Sequence, residues 1–134
     1  MKTPPALCRR SLHKIIMTHL FCIIPGHPIP YTRTTARMLY RKRQRKYAIW
    51  KEAAAWTIKI AAKNETMKTP VCVYIEIYTD QLNADGDNIE KGVSDSAKLS
   101  GIIPDDSIKY IPDCHWKAFY EKDNQRVEVT FDTV

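Results

Sequence analysis

The chain has 134 residues, of which 44% are apolar and 27% charged, and it carries a net charge of +6. This composition predicts one soluble globular domain, and no apolar stretch reaches the ~18 residues that cross a bilayer. A domain of this size buries enough surface to fold without a metal or a disulfide, so a metal site here would serve function.

The first 17 residues differ in pattern from the rest and predict an N-terminal extension, with the compact domain over residues 18–134. They contain basic residues but no apolar run followed by a cleavage site, so export is not expected and the location is cytoplasmic. Two interpretations stay open. The segment is either a frayed extension or a misreading of the start codon upstream of Met17, or it is a short docking helix.

Four widely spaced cysteines form no C-x-x-C pair, and two of them fall in apolar runs. They are expected to be buried free thiols in a reducing compartment. Zinc needs four converging ligands, and no spacing in the sequence indicates such a set.

The first predicted elements are a strand and a helix. Leu20–Ile24 is a short apolar run ended by Pro25 and Gly26, which predicts a strand. Apolar residues then recur at helical spacing from Gln44 to Lys63, and Asn64 supplies a stop signal.

A basic segment connects this strand to the helix. Between Tyr31 and Lys51 there are eight cationic residues and no acidic one, with tyrosine and threonine hydroxyls among them. Arginines and hydroxyls together make most contacts to nucleic-acid backbones, so the segment indicates a polyanion partner. A solvated basic helix start is the alternative. The predicted DNA-binding residues are Arg33, Arg37, Arg41, Lys42, Arg43, Arg45 and Lys46.

The second half predicts three further strands and one helix. Val71–Tyr78 alternates as a half-buried strand, and a helix follows over Asn88–Leu99, capped by Asp87 and ended by Gly101. Strands are predicted over Ile108–Tyr120, interrupted at Pro112, and around Val127–Phe131. The order strand, helix, strand, helix, strand, strand predicts a single small α+β domain with two helices packed on a mixed sheet.

Acidic residues are concentrated between Asp80 and Asp106, a segment that contains seven acidic residues and only two lysines. Asp85 and Asp87 leave an extended chain on the same face, and Lys91 lies one helical turn after Asp87. Carboxylates on a DNA-binding surface need neutralisation, and Mg²⁺ prefers such hard oxygen ligands.

A third acid must return to this place from beyond the helix. The helix rises about 18 Å, whereas the segment from Ser100 to Asp106 spans at most about 23 Å, so Asp106, or Asp105 in its place, can reach the pair. Taken singly, each of these aspartates can be explained as a turn residue or a helix cap, without a metal. An EF-hand is excluded because Asn88 and Ser94 stand where its loop needs Gly and Glu.

These motifs resemble the RusA family of Holliday-junction resolvases. The resemblance covers about residues 18–132: Gly26-His27-Pro28-Ile29-Pro30 with its arginines, Asp85-Gly86-Asp87-Asn88-x-x-Lys91, Ile102–Ser107 and the closing strand. The residue between the first two acids is usually apolar in that family, and here it is Gly86.

The resemblance implies a bacterial or phage-encoded homodimer that cuts branched DNA, the four-way junction, in recombination or repair. It implies Mg²⁺ as cofactor, with Mn²⁺ as a substitute. Its catalytic acids would be Asp85, Asp87 and Asp106, with Lys91 as the basic partner and Asp105 as the less favoured metal ligand. Two rival hypotheses are a branched-DNA binding protein that does not cut, and a Mg²⁺ nuclease acting on flaps or RNA.

Overall fold

The computed structural model describes residues 16–33, 35, 37 and 41–134. This part of the chain forms six strands and two helices. The elements are β1 (Ile16–Met17), β2 (His19–Pro25), α1 (Lys42–Ala61), β3 (Thr66–Met67), β4 (Val71–Thr79), α2 (Gly86–Ser100), β5 (Asp113–Tyr120) and β6 (Arg126–Thr133). Neither described helix is both long and apolar enough to cross a membrane.

The main sheet has four strands in the order β2-β6-β4-β5. β6 pairs antiparallel with β2 and β4, whereas β4 and β5 are parallel and are joined through α2. Alternate residues of β2, β4 and β6 are buried and share one core with both helices. The prediction of a small α+β domain with two helices on a mixed sheet is confirmed.

A separate two-stranded sheet joins β1 to β3, with Ile16 opposite Thr66 and Met17 opposite Met67. The sequence did not predict this pairing. Of the predicted extension over residues 1–17, positions 1–15 lie outside the described residues, and the last two residues form β1. The boundary at residue 18 stays a prediction.

Three elements begin two or more residues from their predicted start. α1 begins and ends two residues earlier, and Lys63 and Asn64 follow it with positive φ angles. The cap of α2 is Asp85 and not Asp87, because the Asp85 carboxylate accepts a hydrogen bond from the Asp87 backbone N–H. β5 begins at Asp113 and not at Ile108.

The late start of β5 has a local cause. The backbone N–H groups of Tyr110 and Ile111 both donate to the carbonyl of Ser107, at 2.9 and 2.8 Å, which closes a turn. Ile108, which looked like a strand residue, is 85% exposed on that turn.

The three described cysteines are free thiols, as expected. Cys22 is buried, and this burial raises the pKa of its thiol to about 12. Cys72 and Cys114 are only partly buried, which differs from the expectation, and Cys8 lies outside the described residues.

Candidate active site

The first acidic pair lies where β4 leads into α2. Asp85 is the N-cap of α2, and its Oδ1 accepts the backbone N–H of Asp87 at 2.9 Å. Its carbonyl accepts the N–H groups of Asn88 and Ile89, which closes the first turn. A carboxylate is favoured here because the free N–H groups of a helix start carry partial positive charge. The helix start therefore fixes Asp85 as its cap, and Asp87 is the second residue of the helix.

Asp87 is held by a residue of the neighbouring edge strand. The indole Nε1–H of Trp116, in β5, donates to Asp87 Oδ1 at 3.0 Å. This contact depends on Gly86, because a Cβ at that position would lie 2.3 to 2.6 Å from atoms of the Trp116 ring. The glycine that departs from the usual family pattern thus makes room for the indole.

The chain that leads to Asp106 runs back along α2. Gly101 ends the helix in the left-handed region at φ 86°, a conformation that glycine adopts without strain. Ile102 and Ile103 are then buried and anchor the chain. Asp105 and Asp106 follow, and they contact α2 at different positions along its length.

Each of these two aspartates has its own lysine. Asp105 Oδ1 lies 3.2 Å from the Lys98 Nζ near the helix end, whereas Asp106 Oδ2 lies 3.2 Å from the Lys91 Nζ. The hydrogen bond from Lys98 lowers the pKa of Asp105, assisted by the Asp106 backbone. Asp106 is therefore the member of the pair that contacts Lys91.

Lys91 is the centre of a hydrogen-bonded network. Its Nζ donates to Asp95 Oδ1 at 2.8 Å and to Asp106 Oδ2 at 3.2 Å, and it lies 5.7 Å from the centre of the Tyr31 ring. The hydrogen bond to Asp95 raises the pKa of Lys91 above its ordinary value, against partial burial that lowers it. The buried Tyr47 hydroxyl in turn donates to Asp95 Oδ2 at 2.9 Å. Lys91 is therefore a positioned cation at neutral pH.

Two depressions open beside the first turns of α2. The larger has a volume of about 670 Å³ and is lined by Asp85, Asn88, Arg33 and Arg43, among others. The smaller has about 340 Å³, and its lining residues are Asp87, Glu90, Lys91, Ser94 and Asp106. Asp87 and Asp106 thus share the smaller depression with Lys91, whereas Asp85 lines the larger one.

The predicted DNA-binding residues are all exposed. Arg33 and Arg43 line the larger depression beside Asp85. The others lie around the start of α1, which has no acid in its first turn. They are Arg37, Arg41, Lys42, Arg45 and Lys46.

The acids suit Mg²⁺ by their chemistry. Among the described residues, the three predicted aspartates do not form a group whose ligand atoms all lie within 4.8 Å of one another. Mg²⁺ keeps several of its waters and is bound through one or two carboxylates together with substrate phosphates. Asp87 and Asp106, with Glu90 in the same depression, offer such oxygen donors.

The sequence did not place Trp116, Tyr47, Glu90 or Asp95 in the site. Asp95 had a signal, because it lies four residues after Lys91 on one helix face and such pairs meet. Trp116 and Tyr47 approach from other elements, and nothing local marks them.

Comparison with known proteins agrees with the fold and with the motifs. The family model described as Endodeoxyribonuclease RusA matches residues 25–132. No curated protein shows significant similarity to the chain. The match covers most of the chain, including both helices and the whole of the depression that contains Asp87 and Asp106. The chain therefore belongs to the RusA family of endodeoxyribonucleases, hydrolases that act on DNA junctions.

Proposed function

We propose that the protein is a Mg²⁺-dependent endonuclease that resolves four-way DNA junctions by paired nicks in recombination or repair. Its acids would be Asp85, Asp87 and Asp106, with Lys91 as their basic partner. The observation that carries the proposal is the 3.2 Å contact between Lys91 and Asp106, which brings the third acid into the depression that Asp87 lines.

DNA would approach through the larger depression. Arg33 and Arg43 there face Asp85 and Asn88, so cations for the phosphate backbone lie beside the acids. Arginine side chains contact phosphate oxygens and fix the position of the duplex without selecting a base sequence. The exposed cations at the start of α1 extend this positive surface.

The smaller depression would bind the metal through Asp87 and Asp106. A bound Mg²⁺ supplies an activated water and neutralises charge on the phosphate in the transition state. Trp116 fixes one oxygen of Asp87 and leaves its carboxylate in one orientation. Lys91 stays protonated and can donate to a non-bridging phosphate oxygen. Asp95 holds its Nζ, and Tyr47 in turn donates to Asp95.

Resolution of a junction needs two nicks, and a two-fold dimer supplies two equivalent sites. We therefore propose a homodimer. Light scattering of the purified protein should give twice the mass of the single chain, and a monomer at the concentrations used for cleavage would contradict this part of the proposal.

The test of the activity is a substrate panel with and without Mg²⁺. The wild-type protein should nick a labelled four-way junction symmetrically and leave linear duplex and RNA intact. Asp87→Asn should reduce that cleavage at least about 100-fold, because it removes a charged metal ligand. The same variant should still bind the junction in gel-shift experiments.

The rival hypotheses predict other results from the same panel. Binding of the junction without nicking at any Mg²⁺ or Mn²⁺ concentration would identify a DNA-binding protein that does not cut. Preferred cleavage of flaps or of RNA would identify a different nuclease. Undiminished cleavage by Asp87→Asn would remove the proposed site.

Arg43 provides a separate prediction about DNA binding. Arg43→Ala should weaken junction binding at low salt and should reduce the slope of log affinity against log salt by about one, as expected for one lost phosphate contact. The matched control is Lys59→Ala, because Lys59 lies about 24 Å further along α1. An equal loss in both variants would show that the effect reflects net charge and not the position of Arg43.

A further inference from the structure

A second group of metal-binding side chains lies at the other end of the main sheet. Cys72 is the second residue of β4, and Asp113 and His115 begin β5. In the parallel pair, Cys72 lies opposite Asp113 and Tyr74 opposite His115. The site proposed for catalysis follows the far end of β4. Along β4, Cys72 lies seven residue steps, about 23 Å, from that end. The group is separated from Asp87 by the sheet itself, because Trp116, the residue after His115 in β5, donates to Asp87.

The three side chains converge on one face of the sheet. One ligand atom from each of Cys72, Asp113 and His115 lies within 4.8 Å of the other two. The Cys72 thiol donates to Asp113 Oδ2 at 3.4 Å, and the Asp113 Oδ1 lies 3.3 Å from His115 Nδ1. The group is on the face opposite the helices, because Val71, Val73 and Ile75 of β4 are buried on the other side.

Neighbouring residues restrict the orientation of His115 and offer Asp132 as a further ligand. The Tyr74 ring packs against the His115 imidazole with 5.0 Å between the ring centres, which restricts the imidazole. In β6, the other strand that pairs with β4, Asp132 lies opposite Cys72. His19 forms a hydrogen bond with the Asp132 carboxylate. Metal ligands are commonly oriented by partners of this kind.

The donor set differs from that of the catalytic acids. A thiolate and an imidazole are soft or borderline ligands, which suit Zn²⁺ and are poor ligands for Mg²⁺. Zinc is bound tetrahedrally by Cys, His and carboxylate side chains, with water in any position that the protein leaves open. The sequence did not indicate this site because Cys72 is far in the chain from Asp113 and His115, and only the β4–β5 pairing brings them together.

We propose that Cys72, Asp113 and His115 form a Zn²⁺ site, with the fourth position taken by Asp132 or by water. The ion would replace the proton that the Cys72 thiol shares with Asp113. It would also tie β5, an edge strand of the sheet, to β4. The proposal is independent of the catalytic activity.

Co²⁺ is a suitable probe, because it replaces Zn²⁺ and gives a thiolate-to-cobalt charge-transfer band that oxygen ligands do not give. Metal-free wild-type protein titrated with Co²⁺ should show this band with one equivalent bound, and Zn²⁺ should abolish it. Cys72→Ser should lack the band. Asp113→Asn and His115→Gln should each raise the dissociation constant at least about tenfold.

Two controls separate this site from other thiols and from the catalytic acids. Cys114→Ser, whose residue lies between the ligands in sequence but faces the core, should keep the band. Asp87→Asn should also keep it, so that failure of one site does not affect the test of the other. Circular dichroism of each metal-free variant establishes that it is folded.

Thermal unfolding gives an independent result. Zn²⁺ should raise the Tm of the wild-type protein and of Asp87→Asn, and at the same Zn²⁺ concentration it should raise the Tm of Cys72→Ser and His115→Gln less. Absence of the band from folded wild-type protein would overturn the proposal. So would its persistence in Cys72→Ser.

Discussion

Replacing Asp106 by Asn is expected to reduce Mg²⁺-dependent junction cleavage at least about 100-fold, equivalent to about 2.7 kcal/mol of transition-state stabilisation. Asp105→Asn is expected to retain most of the cleavage. The reason is the position of the two carboxylates, because Asp106 contacts Lys91 in the depression with Asp87, whereas Asp105 contacts Lys98 near the end of α2. The pair of variants tests one aspartate against its direct neighbour with the same change of charge.

The measurement is the single-turnover rate on a four-way junction at saturating enzyme over a range of Mg²⁺ concentrations. Binding of the junction in EDTA serves as the control, and both variants should bind at least as tightly as the wild type, since each removes one negative charge. Lys91 keeps its hydrogen bond to Asp95 when Asp106 is changed, so the cation stays in place. A greater loss in Asp105→Asn than in Asp106→Asn would reverse the assignment.

Gly86→Ala is the second change with a large expected effect. The new Cβ would lie 2.3 to 2.6 Å from the Trp116 ring, so the indole must move, and its hydrogen bond to Asp87 is then lost. We expect a loss of about 1–3 kcal/mol in the free energy of unfolding from the forced rearrangement, although alanine is intrinsically better in a helix by about 1 kcal/mol. Cleavage should fall at least about tenfold because the carboxylate of Asp87 is no longer held.

A double-mutant cycle identifies the cause. In the Trp116→Ala background the clash is absent, so Gly86→Ala should become neutral or stabilising in urea unfolding. Trp116→Phe keeps a ring but removes the N–H donor, and it should lower cleavage more than stability. If Gly86→Ala destabilises equally in both backgrounds, the contact with Trp116 is not the reason.

The main elements of the fold could be predicted where burial imposes a regular pattern. Val71, Val73, Ile75 and Ile77 alternate because one face of β4 is buried, and this pattern located the strand to within one residue. The start of β5 could not be predicted in this way. Ile108 looks like a strand residue, yet the hydrogen bonds to the Ser107 carbonyl close a turn that no local pattern marks.

The site shows the same division between local and distant information. Helix spacing relates Asp87 to Lys91, and both line the smaller depression. Asp85 was predicted beside Asp87 from extended-chain spacing, but Asp87 lies within α2 and Asp85 lines the larger depression. The return of Asp106 was constrained by chain length, but which of the two aspartates contacts Lys91 depends on the buried anchors Ile102 and Ile103. The hydrogen bond from Trp116 crosses from β5 to α2, so it follows from the sheet and not from spacing.

The contact between Gly86 and Trp116 also bears on how the family can diverge. Gly86 and Trp116 are distant in the sequence, but the Trp116 ring fills the space that a side chain at position 86 would need. A side chain at position 86 is therefore tolerated only together with a smaller residue at position 116. The Trp116 indole in its present position thus requires glycine between the two aspartates.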